Sequence, residues 1–120
     1  MARILIVDDE EADRLYLQAI LARAGHETCF AGNGQEALAQ FDGAGVDVVV
    51  TDLQMPEVHG FELITVLRDR SPPPPVIAVS GTGQFQLHMA EALGARWTIA
   101  KPVVPDLLLK AVAEALALRV

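Results

Sequence analysis

Five short runs of aliphatic and β-branched residues, each followed by a longer segment with helical spacing, constrain this chain more than any other feature of its sequence. The first run, Ile4-Leu5-Ile6-Val7, has no polar position and reads as a strand buried on both faces. Residues 12–24 follow, with Leu15, Ile20, Leu21 and Ala24 taken as one apolar side, and predict a helix closed by Gly25. A weaker strand over 27–30, a turn at Asn33-Gly34 and a short helix over 35–41 come next. Residues 46–51 read as a third strand, interrupted only by Asp47, and 60–70 as a helix broken by Ser71 and the run Pro72, Pro73, Pro74, Pro75. A strand over 76–80, a helix over 84–93 stopped by Gly94, a strand over 97–100 and a helix over 104–118 complete the chain. Strands separated by single helices imply a parallel sheet with right-handed crossovers, an α/β fold. A length of 120 residues, 52% of them hydrophobic, suits one domain with its own core.

In open parallel sheets, ligands bind beyond the carboxyl ends of the strands. Asp8 and Asp9 follow the first predicted strand, Asp52 follows the third, Ser80 closes the fourth and Lys101 follows the fifth. All would converge on one edge of one sheet. Carboxylates gathered in a partly desolvated cleft repel one another and need a cation or raised pKa values to coexist. A hard cation with oxygen ligands relieves the repulsion, and Mg²⁺ matches best, since it takes one or two carboxylates together with water and phosphate oxygens. A lysine opposite supplies a compact positive charge for a phosphoryl oxygen, and a serine hydroxyl can donate to another. Aspartate serves as a phosphoryl acceptor by forming an acyl phosphate, and positioning with charge neutralisation supplies most of the catalysis of such a transfer.

These segments together resemble the CheY-like receiver domain family of two-component response regulators. Ile4-Leu5-Ile6-Val7-Asp8-Asp9-Glu10 is similar to the family's opening, and Ala31-Gly32-Asn33-Gly34-Gln35-Glu36-Ala37-Leu38 to its second loop and helix. Asp52-Leu53-Gln54-Met55-Pro56-Glu57-Val58-His59-Gly60 resembles the phosphorylation-site segment. Pro75-Val76-Ile77-Ala78-Val79-Ser80-Gly81, Gly94-Ala95 and Lys101-Pro102 complete the set in order. The resemblance covers essentially the whole chain. It implies a flavodoxin-like (βα)5 three-layer sandwich with a five-stranded parallel sheet in the order 2-1-3-4-5. Residues 1–120 are then expected to form a single receiver domain without an output domain, signalling through protein–protein contact.

The resemblance also implies roles. Asp52 would be the nucleophile that takes phosphate from a histidine kinase or histidine phosphotransfer protein. Asp9 and Asp52 would ligate Mg²⁺ directly, Asp8 through water and Gln54 through its main-chain carbonyl. Lys101 would bridge the phosphoryl group and the acidic cluster, Ser80 would bond a phosphoryl oxygen, and Pro102 would hold the loop through a cis bond to Lys101. Gln54 and Thr82 fall where side chains modulate hydrolysis of the acyl phosphate. The chain departs from the family at Thr98, where a Tyr or Phe usually stands three residues before the lysine. Trp97 is one place earlier, and a one-residue step on a strand reverses the side-chain direction. The expectation is therefore phosphoryl binding with the usual aromatic readout absent or altered.

Charge and composition exclude several other classes. Sixteen acidic residues against nine basic give a net charge of −7, the wrong sign for tracking nucleic-acid phosphates. That excess suits a divalent cation and equally suits ordinary solubility. Apolar runs fall short of a membrane span, and the start lacks the pattern of a secretory signal. Cys29, the single cysteine, allows no internal disulfide, which fits a cytoplasmic setting. His26, His59 and His88 show no zinc spacing. The proline run reads either as a stiff connector or as a polyproline ligand. In the last helix Leu107, Leu108, Leu109, Val112, Leu116 and Leu118 cannot all face one core, so either the buried stripe is wide or a partner or homodimer covers part of it. Two other functions compete with the phosphoacceptor: a non-cycling pseudo-receiver, favoured by Thr98, and an aspartyl-phosphate hydrolase, whose Asp-x-Asp segment after strand one is missing here.

Overall fold

The computed structural model describes residues 2–53, 60–81 and 84–118. Its elements run in strict alternation: β1 (Arg3–Val7), α1 (Glu11–Arg23), β2 (Glu27–Ala31), α2 (Gly34–Ala44), β3 (Val48–Asp52), α3 (Gly60–Arg68), β4 (Val76–Ser80), α4 (Gln84–Leu93), β5 (Trp97–Ala100) and α5 (Pro105–Ala117). All strand pairs are parallel, and the sheet order is β2-β1-β3-β4-β5, as the resemblance implies. Among the described residues, no helix is long and apolar enough to cross a membrane.

The central strands are apolar on both sides because both faces of the sheet are covered. Ile4, Ile6, Val48, Val50, Ile77, Val79 and Ile99 pack with Leu17, Ile20, Leu21, Leu108 and Val112 of α1 and α5. The alternate residues Leu5, Val7, Val49, Val76 and Ala78 pack with Ala37, Leu63, Ile64, Leu67 and Leu87 of α2, α3 and α4. Period-two alternation therefore assigns each strand residue to one of two cores.

Several boundaries differ from the sequence reading. Leu15 is 52% exposed; the buried side of α1 is Leu17, Ile20 and Leu21, and Leu15 is two residues from Leu17, hence on the opposite side. Ala24 is also exposed, as the C-cap beyond the sheet. Asn33 is more than a turn residue: it is the N-cap of α2, and its side chain accepts a hydrogen bond from the Glu36 amide at 2.9 Å. β3 starts at Val48 because Asp47 is engaged elsewhere, its carboxylate accepting from the Arg3 amide at 2.9 Å. In α5, Leu108 and Val112 are buried while Leu107 is 54% exposed, as is Leu118 at the C-cap, so the helix and its cap carry both a core stripe and an open apolar edge.

Candidate functional site at the carboxyl ends of the strands

Strand register sets the site. β1 and β3 are neighbours at the centre of the sheet, with Val7 paired to Thr51, so Asp8 and Asp52 emerge side by side. Asp52 closes β3 opposite Val79, which brings Ser80 to the adjacent strand end. The Lys101 amide donates to the Ser80 carbonyl at 2.9 Å and ties the end of β5 to the end of β4. Asp8, Asp52 and Ser80 are almost wholly buried, at 1%, 7% and 1% exposure, while Asp9 faces solvent.

The carboxylates of Asp8, Asp9 and Asp52 each place an oxygen within 4.8 Å of the others, a grouping that could hold a metal ion. Lys101 Nζ lies opposite them, 3.4 Å from Asp8 Oδ2 and 3.6 Å from Asp52 Oδ2. Burial pushes Asp8 up to about 6, and the charges of Asp52 and Asp13 add to this. The Glu10 amide, which donates to Asp8 Oδ1 at 2.9 Å, and the Lys101 ammonium pull the other way. For Lys101, burial works to lower the pKa, but the hydrogen bond to Asp13 and the fields of Asp52 and Asp8 overcome it and leave the amine above its ordinary value.

The structure thus brings together Asp8, Asp9, Asp52 and Lys101, with buried Ser80 on the neighbouring strand end. Pro102 follows Lys101 through a cis peptide bond. Gln54, His59 and Thr82 lie outside the described residues. Thr98 is half-buried, and Trp97 is turned away from it: the indole packs against the α1–α5 core and its Nε1 donates to Glu114 Oε1 of α5 at 3.0 Å. Asp13 was not singled out in the sequence, yet its Oδ2 is 3.0 Å from Lys101 Nζ. The available signal was its place in the first turn of α1, which lies toward the strand ends.

Comparison with known proteins agrees with this geometry. The family model for the response regulator receiver domain matches residues 4–113. The chain belongs to the response regulator receiver domain family. This receiver domain is 36% identical over 112 residues to the chemotaxis protein CheY of Thermotoga maritima, covering 91% of this chain and 92% of that one. It is also 36% identical over 91 residues to the autoinducer 1 sensor kinase/phosphatase LuxN of Vibrio harveyi, where it spans 75% of this chain but only 11% of LuxN. Among solved structures, the chemotaxis response regulator CheY4 of Vibrio cholerae superposes with a TM-score of 0.86 at 33% identity, covering 96% of this chain and 98% of that one. Membership makes the chain a phospho-accepting signalling domain of the two-component kind.

Proposed function

We propose that Asp52 is the phosphoacceptor and receives its phosphoryl group from a histidine kinase or histidine phosphotransfer protein. An Asp52 carboxylate oxygen attacks phosphorus, the bond between phosphorus and the donor imidazole nitrogen breaks, and the electron pair leaves with that nitrogen, which takes up a proton. The product is an acyl phosphate. The observation that carries this reading is the convergence of Lys101 Nζ, 3.6 Å from Asp52 Oδ2, with the carboxylates of Asp8 and Asp9 at a single sheet edge.

The donor set is all oxygen, buried on the Asp8 side and open on the Asp9 side, which fits Mg²⁺ with part of its water shell kept. Asp9 and Asp52 would hold it directly and Asp8 through water, with the Gln54 carbonyl as a further ligand. When bound, Mg²⁺ neutralises charge that develops on the phosphoryl oxygens. Lys101 balances the remaining negative charge from the opposite side. Ser80, buried at the next strand end, donates to a phosphoryl oxygen and couples phosphorylation to β4. The signal then passes by contact to a downstream protein.

Thr98 stands where receiver domains usually carry an aromatic ring, and Trp97 is held by Glu114 on the other face of β5. The readout in this chain therefore does not use an inward-swinging ring. Phosphorylation would leave Trp97 emission unchanged in wild type and in Thr98→Ala, since an indole packed on the α5 face does not sense the α4 face of its strand. Emission that shifts on phosphorylation and depends on residue 98 would overturn this part of the reading.

The main test is incubation with Mg²⁺ and acetyl phosphate, followed by intact mass. A labile single-phosphoryl adduct, absent in Asp52→Asn and absent when Mg²⁺ is chelated, is expected. No adduct with any donor favours a non-cycling interaction module, and steady turnover of a generic phosphate ester favours a hydrolase.

A further inference from the structure

The ammonium of Lys101 is shared by Asp13 Oδ2 at 3.0 Å, Asp8 Oδ2 at 3.4 Å and Asp52 Oδ2 at 3.6 Å. The nearest of these belongs to a residue outside the group that could hold a metal ion. We infer that Asp13 is a positioning residue that draws Lys101 away from Asp52 in the resting chain and releases it when a phosphoryl group arrives. The inference rests on the reading of Asp52 as the phosphoacceptor.

The main chain of Lys101 is fixed, so the choice falls to its side chain. Its amide is bonded to the Ser80 carbonyl at 2.9 Å, and its stem crosses Gly81 closely enough that a Cβ on that glycine would lie 3.7 Å from Lys101 Cβ. Asp13 is held in turn. One helical turn on, Tyr16 Oη donates to the Val103 carbonyl at 2.8 Å and fastens α1 to the loop after β5. Asp13, Tyr16, Leu17, Gly81, Lys101, Pro102 and Val103 line one cavity of about 410 Å³ beside the site.

The three resting partners of Lys101 are of two kinds. Asp8 is 1% exposed in its side chain and Asp52 7%, whereas Asp13 is 43% exposed. Solvent can take over the Asp13 carboxylate at modest cost once Lys101 leaves, which a buried carboxylate does not allow. A phosphoryl group on Asp52 brings close to two negative charges and three acceptor oxygens and outcompetes a single half-exposed carboxylate. The Asp13 contact thus stabilises the unphosphorylated state selectively, and its loss on phosphorylation lowers the affinity of the site for the phosphoryl group.

The test uses beryllofluoride, a tetrahedral phosphoryl mimic, titrated calorimetrically into the full chain at saturating Mg²⁺. Asp13→Asn is expected to bind about threefold to fivefold tighter than wild type, the upper part of the range of a partly exposed ion pair. Asp13→Glu, which restores the carboxylate, should return affinity to within about twofold of wild type. Glu11→Gln removes a negative charge from the same helical turn without a contact to Lys101 and should likewise stay within about twofold. Equal tightening by Glu11→Gln would mark a general field effect and overturn the inference, as would unchanged or weaker binding in Asp13→Asn. A wild-type chain that binds no beryllofluoride overturns the phosphoacceptor reading and this inference together; binding that is insensitive to Asp13 overturns this inference alone.

Discussion

Asp8 sits at 1% exposure between two other carboxylates, and its pKa of about 6 against an ordinary 3.8 means that the folded chain holds its proton more tightly than the unfolded chain does. The unfolded state binds fewer protons between those values, so stability falls as pH rises through that window. The contribution is fully present below the unfolded value and lost above about 6. Asp8→Asn cannot ionise and keeps an oxygen for the Glu10 amide. In metal-free protein it should be more stable than wild type by about 1–3 kcal/mol near pH 8, with the gain vanishing below about pH 4. Urea denaturation at the two pH values checks this, and an equal difference at both would contradict it. The proton also competes with a cation, so Mg²⁺ affinity should weaken as pH falls below about 6, measured by calorimetry. Local pattern does not distinguish Asp8 from Asp9; only the family resemblance gave them different roles. Burial of the first and exposure of the second come from the backbone turning out of β1, with the Asp8 amide held by the Ala31 carbonyl at 3.0 Å.

At the scale of the elements, alternation was legible because strand and helix periods are local properties of the chain. Ends were less so. Asn33-Gly34 carries a turn signal, but Asn33 is bonded to the Glu36 amide while its own side-chain amide donates to Glu36 Oε2 at 3.2 Å, so the pair caps α2. Asn33→Ala should cost about 1 kcal/mol and lower Tm by several degrees, read by thermal circular dichroism. α5 shows the same limit. Its leucines look alike in sequence, yet Leu108 is fully buried between β1, β3 and α1 residues of one core while Leu107 is 54% exposed. Leu108→Ala should destabilise by about 2–5 kcal/mol and Leu107→Ala by under about 0.5 kcal/mol, compared by denaturant midpoints. Similar losses for both would mean that a partner covers the outer edge in solution.

For the whole molecule, a chain of net charge −7 concentrates buried acid at one edge of its sheet, so the fold is under electrostatic load where its chemistry lies. An ion that binds only the folded state stabilises it by mass action. Saturating Mg²⁺ should raise Tm by about 5 °C, and Asp9→Ala should abolish most of the rise while leaving the metal-free Tm within about 2 °C, because Asp9 is exposed. Sodium chloride at matched ionic strength separates site binding from general screening. An equal rise with either salt would speak against a specific site.

By itself the sequence determined the order of the elements, the parallel sheet and the segments from which Asp8, Asp9, Asp52, Ser80 and Lys101 come, because hydrophobic periods and strand-end polar residues are written locally. The strand order came from the family resemblance and was met in the structure; tertiary structure alone decided that Asp13 joins these residues. β1 lies beside β3, α1 and α5 share one face, and the loop after β5 folds against the first turn of α1, so Asp13 reaches a lysine 88 positions away. That contact depends on strand order and on which face each side chain takes, quantities set by packing of the whole chain, and no local pattern encodes them.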